Sequence, residues 1–297
     1  MSNLPGEILD HIVDLLHDSQ IPLRNCCLVS KSWIPRTRRH LFAEIRFQTS
    51  RNLLSWKKTF RDPSTSPACY TKNLLIGPKV LADEDAYMSG WIGVFSRVVR
   101  LELVGQDPFD CGWRVACVVF PGFSPAIKSL RVDFSYSRVS PSSQLFDFIL
   151  SFPLLEDLSV TNSHHESEDG GGDSGGLLTV VRPPGPHPFT GSLALFLGGG
   201  MGPYIRWVLS LPGGIHFRKI ALEWFCDEDV SLTMALVKKC SHALETLDIT
   251  DERGTSIGDP MQSHRSNLHP PQSIKYRPRS TSRKQQSSYA RFFGLNR

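Results

Sequence analysis

Ser174 lies in the run Gly172-Asp173-Ser174-Gly175-Gly176, inside the tract "SHHESEDGGGDSGG". A serine so placed could attack a carbonyl, with His164 or His165 taking its proton and neighbouring amides stabilising the oxyanion. The same tract gathers His164, His165, Glu166, Glu168 and Asp169, which are donors a metal could use. Further on, "LALFLGGGMGPYIRWVL" (193–209) sets Gly198, Gly199, Gly200 and Gly202 between a strand pattern and a helix pattern. Backbone amides at such a junction can hold a phosphate.

Each chemistry needs elements to position it, and the surroundings do not provide them. The serine run resembles the nucleophile segment of trypsin-like proteases. However, no strand pattern flanks it, no "AAHC"-like histidine segment precedes it, and no disulfide framework is present. It is read as a match within low-complexity sequence. In the glycine run, Pro203 occupies the place of the third glycine, so a turn between repeats is expected instead. The metal donors crowd onto one loop without outer hydrogen-bonding partners to orient them, and are read as solvated. No catalytic residue, cofactor or metal is expected.

The seven cysteines (Cys26, Cys27, Cys69, Cys111, Cys117, Cys226 and Cys240) are odd in number and contain no C-x-x-C. That spacing excludes a disulfide framework and a zinc site, and Cys111 and Cys117 read as small buried apolar residues. The opening "MSNLPGEILDHIVDLLHD" carries acids where a signal peptide carries basic residues. No run reaches the roughly 18 apolar residues a membrane span needs, and there is no N-x-[ST] sequon. A reduced protein of the cytoplasm, the nucleus or both is expected, with no membrane partner. The net charge of +4 is too small to require nucleic acid, and an apolar share of 40% allows a sizeable core.

The first elements to position are helices. Ile8, Leu9, Ile12, Val13, Leu15 and Leu16 recur at helical steps after Pro5, with Glu7 and Asp10 early, where a helix dipole favours acids. Pro22 precedes a second helix through Leu23, Cys26, Cys27 and Val29, and Pro35 marks a third before "RTRRHLFAEI". These residues resemble the F-box in its fungal form. Leu4-Pro5 opens the pattern, and Ile8, Leu9, Ile12 and Leu16 fill the first helix. Leu23, Cys27, Leu28, Val29, Ser30, Lys31 and Trp33 match the second, and Leu41, Phe42 and Ile45 close it. The resemblance covers about 45 residues and implies docking to an acidic Skp-type adaptor, and through it to a cullin ligase. Leu4, Pro5, Ile8, Leu9, Ile12, Leu28, Val29, Trp33 and Leu41 would form the module and its adaptor-facing surface. The basic run at Lys31, Arg36, Arg38 and Arg39 would aid the rate and register of docking.

A repeat follows. The pattern x-L-x-x-L-x-L recurs with centres at Leu74, Leu101, Leu130, Leu158, Leu193, Ile220 and Leu247, at intervals of 27, 29, 28, 35, 27 and 27. Alternate apolar residues place one face of a short strand inward. "SSQLFDFILSFP", "YIRWVLSLP" and "DVSLTMALVKKC" carry helical spacing between strands. The arrangement resembles a degenerate leucine-rich repeat, in which stacked units share a core and present an extended face. The asparagine or cysteine that usually follows each strand in that family is missing.

The expected fold is α+β: a three-helix F-box at 1–48, a linker at 49–69, and an α/β repeat solenoid at 70–252 with a flexible insertion at 162–190. A basic tail at 253–297, rich in Ser, Gln, Pro and Arg, is expected to be disordered. The implied function is non-catalytic, a substrate receptor of a Skp–cullin–F-box ubiquitin ligase that recruits an unidentified protein. The alternatives are a ligase-independent repeat scaffold and a nucleic-acid-associated protein using the tail around Arg277, Arg279, Arg283 and Lys284.

Overall fold

A computed structural model describes residues 5–17, 19–77, 80, 92–105, 125–134, 143–162, 189–197, 201–211, 214–225 and 229–251 of the chain. Leu4, the protease-like and metal-donor residues of 164–176, Cys111, Cys117 and the whole of 253–297 lie outside them. The chain mixes helix and strand and divides into two compact units, Met1–Arg131 and Val132–Arg297.

The described strands are β1 (Glu44–Phe47), β2 (Asn73–Ile76), β3 (Arg100–Val104), β4 (Ser129–Asp133), β5 (Asp157–Asn162), β6 (Ser192–Leu197), β7 (Lys219–Phe225) and β8 (Thr246–Asp251). They form one sheet whose spatial order is their chain order. The pairs β1/β2, β2/β3, β5/β6, β6/β7 and β7/β8 are all parallel. Parallel neighbours need long crossovers, which the intervals of about 27 to 35 residues supply.

The register aligns the residues singled out by the repeat. In the first unit Leu74 faces Ile45 on one side and Leu101 on the other. In the second, Leu158, Leu193, Ile220 and Leu247 follow one another across four strands. Most of these apolar positions are buried, while the residues between them face outward with Arg100, Glu102, Arg131, Lys219 and Asp248 among them. Arg131 and Glu102 pair at 3.6 Å on that outer face. β1 adds a strand ahead of the seven expected, its Ile45 standing 29 residues before Leu74.

A backbone motif repeats at the strand entries. The Ala43 carbonyl accepts from the amides of Lys72 and Asn73, at 2.8 and 2.9 Å. The Lys72 carbonyl accepts in the same way from Val99 and Arg100, and the Val99 carbonyl from Lys128 and Ser129. In the second unit the Gly191 carbonyl takes Arg218 and Lys219, and that of Arg218 takes Glu245 and Thr246. In these five rungs one carbonyl, two residues before the central apolar residue, holds the entry of the next strand, and none of them needs a side chain, so a missing asparagine does not prevent them. At β5 the rung is shared: the Glu156 carbonyl accepts from the Gly191 amide, and Asp157 Oδ1 accepts from the Ser192 amide at 2.8 Å.

In the first unit the helices are α1 (Gly6–Leu15), α2 (Gln20–Val29), α3 (Ile34–Leu41) and α4 (Ser50–Thr59). The last lies where a linker was expected. Thr49 caps it through a capping box: its hydroxyl accepts from the Asn52 amide, and the Asn52 side chain accepts from the Thr49 amide. Trp56 on α4 packs edge-on to Phe42 and Phe47, both at 5.9 Å, and lies 4.5 Å from Phe60. In the second unit α5 (Ser143–Leu150), α6 (Gly202–Ser210) and α7 (Val230–Cys240) fall on the three segments with helical spacing. Phe146 stacks on Trp207 at 4.5 Å, with its ring 5.7 Å from Tyr204. Burial pushes the Tyr204 phenol above its usual range. No helix among the described residues is long and apolar enough to cross a membrane.

Candidate docking surface on the N-terminal helices

Helices α1 and α2 carry more apolar residues than their own core uses. Inside, Val13, Leu23 and Cys26 are buried, with Leu9, Ile12 and Leu16 half-buried. Outside, Ile8 and Leu15 stand seven residues apart on α1, and Ile21 and Leu28 seven apart on α2. Two helical turns return a residue to the same face, so each pair forms an outward stripe. Leu28 is 85% exposed and Val29, beside it, 68%. An exposed leucine alone needs no explanation; paired outward stripes on adjacent short helices do.

The nine residues expected at the surface divide accordingly. Pro5, Ile8, Leu28 and Val29 are exposed, and Leu9, Ile12, Trp33 and Leu41 are half-buried. Leu4 lies outside the described residues. Pro5 caps α1, and its carbonyl accepts from the amides of Ile8 and Leu9.

Asp14 holds the helices together, a role sequence reading did not assign. Its carboxylate accepts two hydrogen bonds from the Arg36 guanidinium, one at 2.7 Å, and pairs with His40 Nε2 at 2.7 Å. These contacts join α1 to α3. The Arg36 hydrogen bonds, with those of His40, hold the Asp14 carboxyl well below the usual carboxylate range. Thr37 is fully buried, and its hydroxyl donates to a backbone carbonyl, that of Trp33 at 2.7 Å or Ile34 at 3.1 Å. Cys27 Sγ lies 3.0 Å from the same hydroxyl. The basic run is therefore split: Arg36 and His40 turn toward Asp14, while Lys31, Arg38 and Arg39 remain exposed.

Of the glycine run, Gly198, Gly199 and Gly200 lie outside the described residues, and Gly202 opens α6. Met201, just before α6, donates its amide to Asp229 Oδ2 at 3.2 Å, and Asp229 is 3% exposed. A carboxylate of the chain itself thus sits at the start of this helix, where the helix dipole favours a negative charge. Among the described residues no group of three or more His, Cys, Asp or Glu could hold a metal, and Cys26, Cys27, Cys69 and Cys240 are free thiols. Comparison with protein-family models, with curated proteins and with solved structures gives no match to this chain.

Proposed function

We propose that the chain is an F-box substrate receptor of a Skp–cullin–F-box ubiquitin ligase, working in the cytoplasm, the nucleus or both. In this reading α1–α3 dock a Skp-type adaptor, and the strand stack is a degenerate leucine-rich repeat whose open face recruits a protein for ubiquitylation. The receptor makes no bond itself. It raises the effective concentration of a target near the ligase machinery.

The observation that carries the reading is the pair of outward apolar stripes, Ile8/Leu15 and Ile21/Leu28, on helices whose sequence resembles the F-box. Such stripes suit burial against a partner, and exposed Lys31, Arg38 and Arg39 suit an acidic one. The test is capture of the host's Skp-type adaptor by the full chain and by Leu28→Asp/Val29→Ser, with circular dichroism on both. Both residues are exposed, so the variant should keep its fold and lose the adaptor. A folded wild type that captures no adaptor would remove the reading and leave a ligase-independent repeat scaffold.

A further inference from the structure

Two histidines of the second unit meet where the chain leads into consecutive strands. His216 lies between β6 and β7, and His242 lies in the turn between α7 and β8. His216 Nδ1 and His242 Nε2 face each other at 2.5 Å, with ring centroids 4.6 Å apart and ring planes at 77°. His216 is half-buried and His242 exposed, so an ion from solution can reach the pair.

The backbone holds both rings in place. Gly214, at φ 82°, turns the chain before His216, whose amide donates to the Phe189 carbonyl at 2.8 Å. Ile215 and Phe217 on either side are buried, and Ile215 bridges Phe189 in parallel. His242 is fixed by the Cys240 carbonyl, which accepts from the amides of Ala243 and Leu244, both at 2.9 Å. Cys240 is buried with its thiol 4.0 Å from the Ile215 carbonyl oxygen, and the Arg218 carbonyl takes the Glu245 amide at 2.7 Å. The two loops are thus tied together before and after the histidine pair.

A hydrogen bond between neutral imidazoles accounts poorly for this contact. Ordinary N–H hydrogen bonds run from about 2.7 to 3.2 Å, and one this open to water contributes little. A metal ion uses both nitrogens at once. Imidazole nitrogens bind such ions at about 2.0–2.1 Å, so two of them at right angles on one ion stand about 2.9 Å apart. Small side-chain rotations reach that separation. The tetrahedral angle preferred by zinc needs about 3.3 Å, so the tetragonal ions copper(II) and nickel(II) fit with less movement.

We infer that His216 Nδ1 and His242 Nε2 together bind one divalent transition-metal ion, copper(II) or nickel(II) in preference to zinc. On binding, the proton between the rings leaves to water and the far nitrogen of the same imidazole takes one up. Both lone pairs then face the ion, and the pair stays neutral. The inference needs only these two ligands, with water on the ion's other positions. The ion clips the loop before β7 to the turn before β8, and so joins consecutive units of the stack; mass action stabilises the state that holds it. The site uses no residue of the N-terminal helices, so it stands or falls apart from the adaptor reading.

Titration calorimetry of the untagged, metal-free full chain with Ni2+ at neutral pH tests it, together with electron paramagnetic resonance of the chain with Cu2+. The wild type should bind, and the bound Cu2+ should couple to two imidazole nitrogens. His216→Ala and His242→Ala should each weaken binding at least as much as loss of a ligand's orienting partner does, on the order of 10- to 100-fold, and leave one coupled nitrogen at most. Circular dichroism checks that both variants fold. His164→Ala/His165→Ala removes the histidines adjacent in sequence and should leave this binding unchanged. Ni2+ should also slow amide exchange at 215–218 and 242–246 in the wild type, a readout that needs no variant. A folded wild type that binds neither ion would overturn the inference. So would binding that both single substitutions leave unaltered, or protection confined to other segments.

Discussion

The N-terminal helices and the strands of the second unit bury leucine in opposite ways. On α2, Leu28 is 85% and Ile21 72% exposed, whereas on β6 Leu193 and Leu195 are no more than 1% exposed. The strands share one apolar column, and each covers its neighbour. The helices build a small core and then add polar connections, Asp14 to Arg36 and His40, that leave an apolar face outside. Stability by mutual burial suits a framework; stability by a polar hub lets a surface be kept for something else.

The comparison is most easily broken in the strand unit. Phe146 is fully buried and stacked on Trp207, so Phe146→Ala should lower the unfolding free energy by about 3–5 kcal/mol in denaturant titration of the full chain. A loss near that of a surface change would mean the α5–α6 packing is not a core. Gly191 comes next. A Cβ there would lie 2.5 Å from Asp157 Oδ1 and 2.7 Å from the Glu156 carbonyl oxygen. Backbone cannot step aside cheaply, so Gly191→Ala should cost about 1–3 kcal/mol in the same titration.

Asp14→Asn tests the hub. The carboxyl of Asp14 is held below its unfolded value, so its contribution is full above about pH 4 and is lost as the pH falls toward its folded value. Wild-type helix content in circular dichroism should therefore become less heat-resistant as pH falls below about 4. The variant should be less stable at neutral pH and show a flatter decline in acid. An unchanged acid profile would shift the hub's role to the buried Thr37. Leu28→Asp is the smallest expected change in stability, within about 0.5 kcal/mol, because its side chain already faces water. A larger loss would mean Leu28 belongs to a core and is not free for a partner.

Much of the strand unit was legible because its signal is repeated. The spacing of Leu158, Leu193, Ile220 and Leu247 fixed which residues stand side by side, and a one-residue slip would turn each strand's apolar face to water. β1 was not legible. Its four residues, "EIRF", contribute one inward pair, and Ile45 had been assigned to the close of the helical pattern. The helix α4 had a readable signal in Thr49 and Asn52 with Leu53 and Trp56 behind them, but an Asn in the capping position is weaker than Glu or Gln. The division of α1 and α2 into inner and outer stripes could not be read, since both stripes are apolar at helical spacing. Nor could Asp14, whose partners lie 22 and 26 residues away.

Strand order that follows chain order has a kinetic and evolutionary consequence. Each new strand needs only the one before it, so every pairing closes a loop of similar length. Loop closure grows with the logarithm of length, so the 35-residue step from Leu158 to Leu193 costs only about 0.2 kcal/mol more than a 27-residue step. Additional residues can accumulate between β5 and β6 with little effect on assembly. Loss of a rung at a strand entry, by contrast, interrupts propagation at that point, and the stack then has to grow from two separate starts.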